Sequence, residues 1–118
     1  MGNEYVHNTE DTIHEGDSYL IKFRFVSGED DSAIAPSSQK VYITEQDGGL
    51  TINGRDGSDG TGLTVTDTNL VTFAASPADA GMATSQRSEI HRIRIELKYN
   101  TDADVDNRVF LVRVDKSE

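Results

Sequence analysis

Three aspartates at alternate positions, Asp102, Asp104 and Asp106, are the most chemically suggestive residues in this chain of 118. They lie in the run Asp102-Ala103-Asp104-Val105-Asp106-Asn107. Calcium takes about six to eight oxygen ligands, and carboxylates two apart along a turn can supply several. Counted from Asp102, the sixth residue is Asn107 where an EF-hand has Gly, and the twelfth is Arg113 where it has Glu. The segment is therefore not an EF-hand. It is either a calcium loop of another kind or a solvated hairpin turn. Calcium is the one cofactor these residues would serve, and nothing else in the chain requires one.

The remaining chemistry-bearing residues give less. Asp56-Gly57-Ser58-Asp59-Gly60-Thr61-Gly62 looks like half of a calcium-binding β-roll repeat. Such rolls stack several copies, and one copy alone reads as a flexible turn. Gly60-Thr61-Gly62 is not flanked by a strand and a helix, so a phosphate cradle has no support. Of the histidines, His91 shares the face of Ile93 and Ile95, which suits a satisfied core or rim residue. His7 and His14 fall in a polar N-terminal segment. There is no Gly-x-Ser-x-Gly elbow and no His-Glu-x-x-His pair. None of the abundant carboxylates sits in an apolar pattern that would raise its pKa for glycosidase-type work. These residues argue for a protein that is not an enzyme.

Charge narrows the partners. There are 21 acidic against 11 basic residues, a formal net charge of −10. Such a chain repels phosphate backbones and anionic lipid surfaces, so nucleic acid is not an expected partner. The basic residues are spread along strand-like runs rather than pooled. Cysteine is absent, which removes disulfide scaffolds, zinc ribbons and thiol catalysis. No stretch approaches the ~20 apolar residues of a membrane-spanning helix. Met1-Gly2-Asn3 reads as a start fused onto a mature domain from which targeting information has been removed.

The elements that must carry these residues are strands. Only 35% of the residues are hydrophobic, but they come in short dense runs with period-2 alternation between Gly, Asp and Asn clusters. In residues 19–26 Tyr19, Ile21, Phe23 and Phe25 make an apolar face, with Lys22 and Arg24 opposite. Lys40-Val41-Tyr42-Ile43-Thr44 and Leu50-Thr51-Ile52 predict a hairpin about Asp47-Gly48-Gly49, since Asp-Gly suits positive φ. Residues 53–62 read as a loop. Leu63-Thr64-Val65 and Leu70-Val71-Thr72-Phe73 read as one strand broken at residues 66–69. Residues 74–87 are small, polar and Pro-containing, the best candidate for a mobile loop.

The closing hairpin is the clearest. Ile93, Ile95, Leu97 and Tyr99 alternate with Arg92, Arg94, Glu96 and Lys98. Val109-Phe110-Leu111-Val112-Arg113-Val114 is apolar on both faces and predicts a central or covered strand. Residues 1–17 look too polar and too short to cover it, which points to a covering element lying outside this sequence. The expected fold is mainly β, one domain over residues 1–118, with about six strands in an antiparallel meander.

The order of these runs resembles the head of type IV minor pilins and pseudopilins, notably the PilW-type and J-type subunits. Gly16-Asp17-Ser18-Tyr19-Leu20-Ile21-Lys22-Phe23 is similar to their first head strand. Lys40 to Ile43, Gly49-Leu50-Thr51-Ile52-Asn53-Gly54 and Asn69-Leu70-Val71-Thr72-Phe73 are similar to the middle. Ile90-His91-Arg92-Ile93-Arg94-Ile95-Glu96-Leu97-Lys98 with Arg108 to Val114 is similar to the closing hairpin. The end, Val114-Asp115-Lys116-Ser117-Glu118, departs from that family's Arg-Asn finish. The resemblance implies an α+β precursor whose apolar N-terminal helix would supply the missing cover and anchor it in a membrane. It implies a periplasmic or cell-surface structural subunit of a type IV pilus or type II secretion pseudopilus. Its partners would be other pilin or pseudopilin subunits, met through loops 27–39 and 74–89. Two alternatives fit the same strands: an extracellular β-sandwich binding or adhesion module, and a phage structural domain.

Overall fold

The computed structural model describes residues 4–47 and 49–116, with side chains from residue 12 onward apart from Gly48. Met1-Gly2-Asn3, Gly48 and the His7 side chain lie outside the described residues. Among the described residues eight strands form: Glu4–His14 (β1), Tyr19–Arg24 (β2), Ser38–Glu45 (β3), Thr51–Asp56 (β4), Leu63–Thr66 (β5), Leu70–Ala75 (β6), Ser88–Tyr99 (β7) and Asp104–Asp115 (β8). They make a five-stranded sheet in the order β1-β8-β7-β3-β4 and a three-stranded sheet in the order β2-β6-β5. The fold is mainly β, as the alternation predicts.

It is not a six-strand meander, because the chain changes sheet four times between β1 and β7. One shared core records how the sheets pack. Ile21, Val71 and Phe73 from the small sheet meet Val41, Ile43, Ile93, Ile95, Leu97, Phe110 and Val112 from the large one. Phe23 and Phe110 lie 5.4 Å apart between ring centroids, and Phe25 meets Tyr99 edge-on at the same distance. Two inner faces interdigitating this way are the usual solution for half-apolar sheets.

The covering element expected outside the sequence is thus inside it. The small sheet covers the face of β8 that carries Phe110, Val112 and Val114. On the opposite face Val109 is fully buried, and it stands in register with Arg94 of β7. The Arg94 guanidinium lies over the Tyr42 ring, 3.9 Å from its centroid, and donates to Asn107 Oδ1 at 2.7 Å. Long side chains laid along a sheet in this way cover apolar surface while their heads stay polar. The N-terminal segment also has a place: β1 pairs in parallel with β8, Tyr5 beside Arg108 and Val6 beside Val109. An edge strand is held by its backbone ladder, so its polar composition is no obstacle.

Two further expectations change. Residues 63–73 are not one interrupted strand; β5 and β6 pair antiparallel, Leu63 opposite Phe73 and Thr66 opposite Leu70. The connection is the three-residue turn 67–69, in which Asp67 and Thr68 both take positive φ, 48° and 71°, and the Asn69 N–H bonds to the Asp67 oxygen at 2.8 Å. Gly62 before β5 also needs its φ of +95°, and an added Cβ would lie within 2.4 Å of the Ala74 carbonyl oxygen. The segment read as a mobile loop is pinned over its first half. Residues 74 and 75 complete β6, and Pro77–Ala80 forms one 3₁₀ turn with Asp79 and Ala80 buried.

Candidate functional site

The alternating aspartates do not converge. Asp102 sits at the turn between β7 and β8, where Asn100, Thr101 and Asp102 all take positive φ. Its Oδ1 accepts from the hydroxyls of Ser37 at 2.5 Å and Ser38 at 3.1 Å. The Ser37 hydroxyl, ahead of the other causes, holds this carboxyl below its usual range. Asp104 accepts from Asn100 Nδ2 at 2.6 Å. Asp106 is buried opposite Leu97 and lies 3.9 Å from Arg108. Each carboxylate has its own protein partner, and the described residues include no metal-ligating group of three or more His, Cys, Asp or Glu. Asp104 and Asp106 do share a hollow of about 470 Å³ with Glu29, Ile34 and Tyr99.

The β-roll-like run is spent on its own turn. Asp56 Oδ1 accepts from the Ser58 N–H and hydroxyl, at 3.1 and 2.6 Å, and Asp59 Oδ1 accepts from the Thr61 N–H at 3.0 Å. Aspartates that cap a turn two residues on are a standard device of loops. His14 is exposed at the end of β1. His91 lies fully buried beside Ile93 and Ile95, as its sequence face suggests.

Two buried polar clusters escaped the sequence reading. In the first, Asp79 at the end of the Pro77 turn takes a bidentate pair from Arg55 of β4, Nε at 2.8 Å and Nη2 at 2.9 Å. It also accepts from Asn53 Nδ2 at 3.0 Å and from the Ser76 N–H at 2.8 Å. Burial alone would raise this carboxyl; the donors from Arg55, Asn53 and Ser76 outweigh it and hold it below the ordinary range. The guanidinium lies 5.2 Å from the Phe73 ring centroid, so the pair ties the two sheets together. Burial pushes the neighbouring Tyr19 hydroxyl far above its usual range, so it stays protonated. Ser76-Pro77-Ala78-Asp79 was the available signal: a capping residue, Pro at the first position, and an acid three residues after the cap.

In the second cluster, His91 Nε2 stands 2.7 Å from Glu89 Oε1. Glu89 also accepts from the N–H groups of Ala83 at 3.0 Å and Thr84 at 2.7 Å. Burial would raise its carboxyl too, and these donors reverse the direction, so it is held below its usual range. The other ring nitrogen, Nδ1, is a buried atom without a hydrogen-bond partner. Both side chains are buried. Their work is to fasten the 82–84 stretch onto β7.

The exposed feature with charge of its own is a cleft of about 970 Å³ at the tip where β1 and β8 end and β7 begins. His14, Ser85, Arg87, Ser88, Arg113, Asp115 and Lys116 line it. Arg113 Nε is tied to Asp115 Oδ1 at 2.9 Å. The residues 87, 113 and 116 are far apart in the chain, which is why no basic patch shows in the sequence. No family model and no curated protein matches this chain.

Proposed function

We propose that the chain is a non-catalytic β-sandwich module that works by contact inside a larger extracellular or virion assembly. One observation carries this. Four of the buried titratable groups, Arg55, Asp79, Glu89 and His91, are committed to holding the sandwich closed. Exposed charge lies instead on loops, strand ends and outer strand faces, as at Lys22 and Lys40, where neighbours would be met. The loops 27–39 and 81–89 at opposite tips are the surfaces on offer.

The pilin-head reading shares this contact role. Its support is the order of the strand runs; the uncovered final strand no longer supports it, because the second sheet occupies that face. That difference favours the sandwich module over a head built on a helix. Cross-linking with mass spectrometry on the native source tests the proposal. The chain is expected at fixed stoichiometry within a multi-subunit particle or surface fibre, cross-linked through residues of the two tips. Recovery only as a monomer that turns over a substrate would overturn it. A basic leader followed by ~20 apolar residues upstream in the full reading frame would return the pilin reading to first place.

A further inference from the structure

Charge of opposite sign gathers at the two tips of this elongated domain, whose principal extents are 45 × 23 × 21 Å. The β7–β8 hairpin runs between them: Ser88 pairs with Asp115 at the cleft, and Tyr99 pairs with Asp104 at the hollow. The cleft is lined by Arg87, Arg113 and Lys116 against one carboxylate, Asp115. This is the reverse of a chain whose net charge is −10. The hollow at the other tip is lined by Glu29, Asp104 and Asp106, with no Lys or Arg among its described lining residues. The turns beside the hollow add Asp30, Asp31 and Asp102, all exposed, and the turn beside the cleft adds Glu15 and Asp17.

We infer that the basic cleft receives the acidic tip of a second copy, so that chains associate head to tail. This rests on the contact-module reading and supplies its partner. Three arguments lead here. Strands of 12 residues at about 3.3 Å per residue put the tips roughly 36 Å apart, so one molecule cannot satisfy itself. The cleft is broad and open, twice the volume of the hollow, and suits a protruding hairpin turn better than a small anion. The turn that would enter is held in one shape by three successive residues at positive φ, 54°, 56° and 65°, and by the Ser37–Asp102 bond. A contact between two different patches is heterologous, and it extends into a ring or filament. At physiological ionic strength the Debye length is about 8 Å, so repulsion between the bulk charges is screened while contact pairs persist.

Zero-length carbodiimide coupling joins a lysine to a carboxylate in direct contact. Applied to the whole chain at about 1 mM, where even weak association is populated, it should give a ladder of oligomers. The linked peptides should pair Lys116 with Glu29 or Asp104, a bond the tip separation forbids within one copy. Two charge-reversed chains complete the test, Arg87→Glu with Arg113→Glu, and Glu29→Lys with Asp104→Lys. All four sites are solvent-accessible, so melting temperatures should stay near wild type. Each variant alone should lose the ladder, with association weakened about tenfold or more by like charges brought together. Mixed, the two should regain it, because each presents what the other now needs. A monomeric wild type at that concentration overturns the inference, as does a ladder indifferent to the reversals. Saturable binding of inorganic phosphate by a monomer would give the cleft to a small anion instead. Cross-links from Lys116 to a different protein in the native particle would overturn the head-to-tail contact while the module reading stands. Substrate turnover would remove that reading itself.

Discussion

Replacing Asp79 by Asn keeps the shape of the side chain and removes its charge. The native carboxylate is fully buried and takes Arg55 Nε at 2.8 Å, Arg55 Nη2 at 2.9 Å, Asn53 at 3.0 Å and the Ser76 N–H at 2.8 Å. Every one of these partners is a donor. An amide offers one acceptor oxygen, so its NH₂ must face donors whichever way it turns. Arg55, 2% exposed, would keep its bond to the Asp59 carbonyl oxygen at 2.9 Å and the Asp59 carboxylate at 3.7 Å, itself half in solvent. Breaking one side of a buried pair costs about 3–5 kcal/mol. The low end applies here because Asp59 still faces the guanidinium. A domain of this size has roughly 6–18 kcal/mol in all. Urea unfolding followed by far-ultraviolet circular dichroism should therefore show Asp79→Asn losing about 3 kcal/mol.

The double change Arg55→Met with Asp79→Leu removes both charges and should recover all but ~1–2 kcal/mol of that loss. Acid titration adds a second reading. The Asp79 pKa is depressed in the fold, so its contribution is present above the unfolded value of about 3.9 and lost as pH falls through the folded value. Wild type should lose stability steeply below about pH 4, and Asp79→Asn less so. A single-variant loss under ~1 kcal/mol, the size of an exposed pair, would refute the reasoning. So would a double variant as unstable as the single.

Gly62→Ala should cost at least about 2 kcal/mol, since strain at a φ of +95° adds to a Cβ 2.4 Å from the Ala74 oxygen; differential scanning calorimetry reads this directly. Thr68→Gly should act in the other direction. Its φ of 71° is poor for a β-branched residue, and relief should add about 1 kcal/mol, seen as a higher urea midpoint. Calcium should leave the melting temperature of wild type and of Asp104→Asn equal, because Asp102, Asp104 and Asp106 are each held by separate partners. A rise of several degrees at about 5 mM calcium that Asp104→Asn abolishes would restore the calcium loop.

How much was legible follows a physical line. Period-2 alternation placed the β2, β3 and β7 faces because side-chain direction along a strand is a local property. Ile21, Val41, Ile43, Ile93, Ile95 and Leu97 all point where alternation puts them. The Asp47 turn was legible for the same reason: Glu45 N–H bonds to the Leu50 oxygen at 2.8 Å, and Gly49 has φ +69°. The β5–β6 turn was misread because Asp67-Thr68 lacks the glycine that usually marks positive φ. His91 could be placed on the core face, but its Glu89 partner could not be named.

The sequence by itself determined that this is a β protein, which faces of its strands are apolar, and that its net charge is −10. Those properties rest on residue type and on neighbours one or two positions away. Tertiary structure alone decided that the cover for β8 comes from β2, β6 and β5, and that polar β1 pairs in parallel with β8. It alone joined Arg55 to Asp79 across 24 residues. It also gathered Arg87, Arg113 and Lys116 at one tip and left the acids at the other. Strand partners and charge clusters depend on which distant segments meet, and no local pattern encodes that meeting.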